Sequence, residues 1–161
     1  MPTNFIRRDF ERPGRAIPTG RGPGLRVAKL TAGRVALRLA LFETRTADVI
    51  WQGLPLYSIV ETWGESIHFE TPLRTGRERT AKLNVAPGDV CFWTEDERVV
   101  LAWGPTPISR PGEVRLMRPC NVWASALDPP SALSVVTPGE KVTLVRTDER
   151  VVADETATDR A

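Results

Sequence analysis

The sequence has one histidine, His68, so any imidazole-based proton transfer must use it. It stands in the run Ile67-His68-Phe69-Glu70, where alternation sets it on the face opposite Ile67 and Phe69. Two readings are open: a strand histidine with no chemical role, or a donor lining a pocket. Glu61, Glu65 and Glu70 flank the Trp63-Gly64 turn and fit either an acid–base pair or a solvated turn with one inward acid. His68 and Glu70 are therefore the candidate catalytic residues. Trp63, Trp93, Trp103 and Trp123 each bring a large apolar surface and one N–H that needs an acceptor. Such residues fill cores and wall ligand sites alike. Tyr57, just after Pro55, and Asn121, a polar residue entering an apolar strand, are further candidates for lining a pocket.

Other chemistries find no support. No Ser or Cys sits in a nucleophile-elbow setting. Cys91 and Cys120 lie far apart in apolar runs and read as buried thiols, with a bridge between them left open. One histidine with no close Cys or carboxylate spacing gives no metal site. The run Gly20-Arg21-Gly22-Pro23-Gly24 follows no strand, precedes no Lys-Ser pair and is interrupted by proline, so it is no phosphate fingerprint. No cofactor is implied.

The elements that must position these residues are mostly strands. Arg26–Leu30 reads as a strand, and Val35, Leu37, Leu39 and Leu41 follow at strict period two. Thr44 or Thr46 can cap a helix whose apolar face is Ala47, Ile50, Trp51 and Leu54, ended by Gly53 and Pro55. Ser58–Trp63 and Ser66–Glu70 read as strands about the Gly64-Glu65 turn, and Arg74–Lys82 as a polar loop. After the Pro87-Gly88 turn come Val90–Trp93 and Val99–Trp103, separated by the acidic loop Thr94–Arg98. Gly104-Pro105-Thr106-Pro107 breaks the chain, and Asn121–Ala126 and Lys141–Val145 are later strands. Many short strands and one main α-helix predict a mainly β fold, a small closed or nearly closed β-barrel.

A hydrophobic share of 41% and a charged share of 26% suit a water-soluble domain. No apolar run is long enough to span a bilayer, and none follows Arg7-Arg8 to make a secretory signal, so a cytoplasmic location is expected with no membrane partner. Residues 1–34 hold eight Arg or Lys against two acids. Within them, residues 1–24 read as a flexible basic arm, residues 25–146 as the folded domain, and residues 147–161 as an acidic, flexible tail. An arginine-rich arm can touch nucleic acid, but Phe5 and Phe10 are its only aromatics, so nucleic-acid binding has little support. Exposed strand edges and spare tryptophans favour a homodimer.

Two blocks carry a family resemblance. The first is Leu41-Phe42-Glu43-Thr44-Arg45-Thr46-Ala47-Asp48-Val49-Ile50-Trp51-Gln52-Gly53-Leu54-Pro55-Leu56, continuing through Thr62–Glu70. The second comprises Pro87–Trp93, Trp103–Ser109 and Asn121-Val122-Trp123. From Val35 to Leu127 the chain resembles the small bacterial and archaeal cyclophilin-like proteins. The resemblance implies a cyclophilin-type barrel, a helix closing one end, and a pocket or groove on its flank. Gly104–Pro107 resembles the family's signature loop and reads as a rigid rim or as a barrel corner. Thr106 and Ser109 have no obvious core use, so Thr106 joins the candidate ligand-binding residues Tyr57, Trp63, His68, Trp93, Trp103 and Asn121.

True prolyl isomerases of the cyclophilin type carry Phe-His-Arg on the strand after the helix. Here that strand ends in Glu70, an acid where an arginine should be. Weakening the prolyl amide needs a donor near its nitrogen, and a carboxylate does the opposite. Arg74 or Arg118 could reach in from elsewhere. The sequence thus points to a domain that binds a small polar molecule or short peptide in an aromatic-rimmed pocket. Peptidyl-prolyl isomerisation, or a small-amide hydrolase or lyase or its accessory subunit, are the alternatives.

Overall fold

A computed structural model describes residues 24–152. The expected basic arm, except Gly24, and the end of the acidic tail lie outside the described residues. The strands are β1 (Leu25–Ala32), β2 (Val35–Leu41), β3 (Leu56–Ile59), β4 (Glu61–Thr62) and β5 (Ser66–Glu70). They continue as β6 (Lys82–Asn84), β7 (Asp89–Trp93), β8 (Arg98–Ala102), β9 (Arg115–Ala126) and β10 (Lys141–Val151). Helix α1 (Arg45–Gly53) follows β2, and a 3-10 helix covers Pro130–Val135. β10 runs past the expected domain boundary at 146, so residues 147–151 are strand.

Residues 28–146 make up one compact unit; the described stretches 24–27 and 147–152 belong to a second. In the second unit the Thr147 hydroxyl donates to the Val27 carbonyl at 2.7 Å.

Helix α1 starts where the capping chemistry allows. Thr44 is extended, and its hydroxyl accepts from the Ala47 N–H at 3.1 Å, so Thr44 and not Thr46 is the cap. Thr46, Ala47 and Ile50 are buried beneath the helix. Leu54, extended, caps its end with its N–H donating to the Trp51 carbonyl, and the Leu54–Pro55 peptide bond is cis.

The sheet order is β3-β10-β1-β2-β9-β7-β8-β5-β4, with β6 added on β9. This path is open: β3 and β4 are its two edges, and no ladder joins them. Of the closed or nearly closed barrel expected from the strand pattern, the mainly β, antiparallel sheet with one main helix is present, but the sheet is not closed. The reason lies at Val60. The run Ser58–Trp63, expected as one strand, breaks there, because β3 pairs with β10 while β4 pairs with β5. The Val60 N–H donates to the Glu140 carbonyl at 2.8 Å, and its carbonyl accepts from Gly139 at 2.9 Å.

β7 and β8 are buried on both faces, which explains their near-continuous apolar sequences. On one face lie Leu39, Ile67, Phe69, Phe92, Leu101 and Trp123, together with Ile50 of α1. On the other are Val85, Cys91, Trp93, Val100, Val114, Leu116 and Cys120. The register of β7 on β9 shifts between Val90 and Cys91, which face Ala124 and Val122. The extra residue, Trp123, joins Ala124 in the first cluster.

Candidate functional site

Register brings the site together. β5 lies beside β8 with His68 opposite Val100 and Glu70 opposite Arg98, and β8 lies beside β7 with Arg98 opposite Trp93. β4 places Glu61 opposite His68. Side chains alternate across a sheet, so Glu61, Trp63, His68, Arg98 and Trp93 share one face, the one away from the Phe69–Phe92 core. The Trp63 and Trp93 ring centroids are 6.5 Å apart and tilted by 42°. His68 meets Trp93 edge-on at 5.8 Å.

Polar contacts fix the imidazole. Arg98 Nη1 donates to His68 Nδ1 at 3.2 Å and to Glu61 Oε2 at 3.3 Å. An arginine only donates, so Nδ1 accepts and the ring proton is on Nε2. Burial, and then the Arg98 charge, hold the His68 pKa below its ordinary value of 6.5, against the smaller pull of Glu61 and Asp96. The ring is thus neutral at pH 7. Trp93 is 5% exposed, and its Nε1–H is buried with no acceptor among the described residues. The face therefore offers an aromatic wall and two donors, the imidazole Nε2–H and the Arg98 guanidinium, while the Trp93 indole N–H is buried within the core.

One rim of the face is rigid. Gly64 has φ +61°, and a Cβ there would lie 2.8 Å from the Pro105 carbonyl oxygen and the Thr106 Cα. Only glycine fits both that conformation and that approach. The turn is tied down by Glu65 N–H to the Pro105 carbonyl and Trp103 N–H to the Glu65 carbonyl, both 3.0 Å. The Gly104–Pro107 loop thus abuts the Trp63-Gly64 turn.

Of the residues singled out in the sequence, Glu61, Trp63, His68 and Trp93 come together here, and Glu70, opposite Arg98, lies on the same face. The others do not. Tyr57 stands on edge strand β3, 73% exposed. Trp103 is half-buried against the Phe69–Phe92 core. Thr106 is buried in its own loop, where its hydroxyl donates to the Arg115 carbonyl and its N–H donates to Ser109 Oγ at 3.0 Å. Ser109 Oγ also accepts from Arg115 N–H at 2.9 Å, so both hydroxyls have structural uses that the sequence did not reveal. Asn121 is fully buried on the helix side, bonded to Thr46, Gly76 and Glu78. Glu70 is exposed, and no hydrogen bond joins it to His68 among the described residues. The sequence reading missed Arg98, taken as the end of an acidic loop. Arg74, one of the two arginines considered in its place, is instead paired with Glu97 at 2.8 Å.

Cys91 and Cys120 are free thiols, both buried. Burial pushes both pKa values up, that of Cys120 to about 12.

The family model described as Cyclophilin-like matches residues 26–145. The chain belongs to the cyclophilin-like family. Its fold is similar to the solution structure of the hypothetical protein AF2241 from Archaeoglobus fulgidus, with a TM-score of 0.68 and 28% identity over 81% of this chain and 100% of that one. It is also similar in fold to McbB, solved in complex with tryptophan, with a TM-score of 0.58 and 14% identity over 78% of this chain. The cyclophilin-like chain spans 46% of McbB. No curated protein matches it. Among the described residues no helix is long and apolar enough to cross a membrane.

Proposed function

We propose that this cyclophilin-like domain binds a small polar molecule or short peptide on the β5–β8–β7 face, between Trp63, His68, Trp93 and Arg98. On this reading the sheet, whose edges meet in the chain at Val60, acts as a nearly closed barrel with its groove on the flank. The observation that carries the proposal is the Trp63–Trp93 aromatic pair standing beside His68 and Arg98, two donors on one face. A ligand carboxylate or carbonyl would accept from the imidazole Nε2–H and from the guanidinium. Trp63 would supply the apolar wall.

The test is tryptophan fluorescence and thermal shift with small carboxylates, small amides, proline peptides and L-tryptophan. The last probe is included because McbB was solved in complex with it. The expected result is saturable binding of an acceptor-bearing probe, weakened about tenfold (about 1.4 kcal/mol) by Trp63→Ala and by Arg98→Ala. No response at millimolar ligand, or binding untouched by both substitutions, would overturn the reading.

A second reading is prolyl isomerisation, favoured by Arg98 itself: a guanidinium stands beside His68 although Glu70 occupies the expected arginine position. Acceleration of cis–trans exchange in a proline peptide, abolished by Arg98→Ala, would select it over simple binding.

A further inference from the structure

The loop between β5 and β6 is irregular in conformation yet firmly anchored. Thr71 gives its N–H and hydroxyl to the Glu97 carbonyl, at 2.9 and 3.0 Å. Asn121, fully buried in β9, holds the loop backbone from below: Nδ2 donates to the Gly76 carbonyl at 2.9 Å, and Oδ1 accepts from the Glu78 N–H at 2.8 Å. The Glu78 carboxylate turns to the start of α1, where it accepts from the N–H and hydroxyl of Thr46. Arg74 pairs with Glu97 and Arg77 with Glu95. Buried polar anchors of this kind remove most of the freedom a loop would lose on binding a ligand.

Over this frame lies an open cleft of about 510 Å³ lined by Arg45, Gly76, Arg77, Glu78 and Arg79. Three of the five lining residues are arginines. The one acid is turned toward Thr46, at the helix start, and Arg77 is shared with Glu95. Arg45 and Arg79 have no acidic partner among the described residues. The floor at Gly76 is bare, since a Cβ built there meets nothing within 4 Å. Guanidinium groups bind oxyanions through paired N–H donors, and several around one cleft suit a dianion better than a monocarboxylate. We propose that this cleft binds the phosphoryl group of a small phosphorylated molecule. The cleft is lined by the start of α1 and the loop before β6, and it shares no lining residue with the set around His68.

The experiment is calorimetric titration of the full chain with inorganic phosphate and pyrophosphate at fixed ionic strength, with succinate as the carboxylate counterpart. Saturable pyrophosphate binding in the millimolar range or tighter is expected. It should weaken about tenfold (about 1.4 kcal/mol) in Arg45→Ala, in Arg79→Ala and in Gly76→Glu, which places a carboxylate on the floor. Arg34→Ala, at an exposed turn remote in sequence, should bind as the parent does. All four positions are exposed, so unchanged melting temperatures will show that the variants are folded. No saturable binding, equal binding in Gly76→Glu, or succinate binding as tightly as pyrophosphate would each overturn the proposal.

Discussion

His68 has its two nitrogens in different settings, and this governs what it can do. Nδ1 accepts from Arg98, leaving Nε2–H as the group available to a ligand. Because the folded-state pKa lies below 6.5 while the unfolded chain titrates near it, the unfolded state takes up the proton first as pH falls. His68 therefore contributes nothing unfavourable above about pH 6.5 and costs stability as pH falls through that value toward the lower folded pKa. The melting temperature should drop between pH 7 and 5, and His68→Phe should remove part of that drop; parallel curves would contradict the assignment. Arg98 adds to burial in lowering this pKa, so NMR titration of Arg98→Ala should give a higher His68 midpoint than the parent. The same residue shows a limit of reading the sequence alone. Arg98 follows Glu95, Asp96 and Glu97, and nothing along the chain distinguishes it from a solvated charge run. Its role follows from facing Glu70 on one side and Trp93 on the other, which is a matter of register.

At the scale of elements, Asn121 ties three pieces together: strand β9, the start of α1 and the loop before β6. Asn121→Ala would leave the Glu78 N–H and the Gly76 carbonyl without their side-chain partner, and also the Thr46 hydroxyl without one donor. A loss of about 3 kcal/mol is expected, read as a lower urea midpoint with an unchanged m-value. Thr44→Ala should cost less, about 1 kcal/mol, since it removes one cap bond from a nine-residue helix. The elements legible in the sequence were those whose periodicity reflects burial on one side: β2 with Leu37, Leu39 and Leu41, and α1 with Ala47 and Ile50. The first half of β9 was not legible: the strand was expected only from Asn121, since Arg118 and Pro119 interrupt the apolar pattern before it. That stretch is held by pairing with β6 and by Leu116 and Cys120 underneath, both non-local contacts. Asn121 was recognised as a polar residue with a purpose, but a single strand cannot reveal which face carries the ligand and which the helix.

For the whole molecule, the cysteines report on the cluster beneath the Trp93 face. Both thiols are buried with raised pKa values, so a thiol reagent at pH 8 should not label the native protein. In urea both should react, and at the same midpoint if that cluster melts together with the Phe69–Phe92 core; early labelling of one alone would show that the two layers come apart. The sequence could indicate a many-stranded β fold, yet not that its ladder stays open, since closure depends on how the chain turns at Val60. That turn makes one short segment serve both ends of the sheet, and the two ends therefore share one parity. A slip of β3 by one residue against β10 would turn Tyr57 inward and Leu56 outward. Carried through Val60, the same slip would move Glu61 away from its place opposite His68. Alignment at the far edge of the sheet is thus checked at the aromatic face, and a miscounted strand would surface at His68.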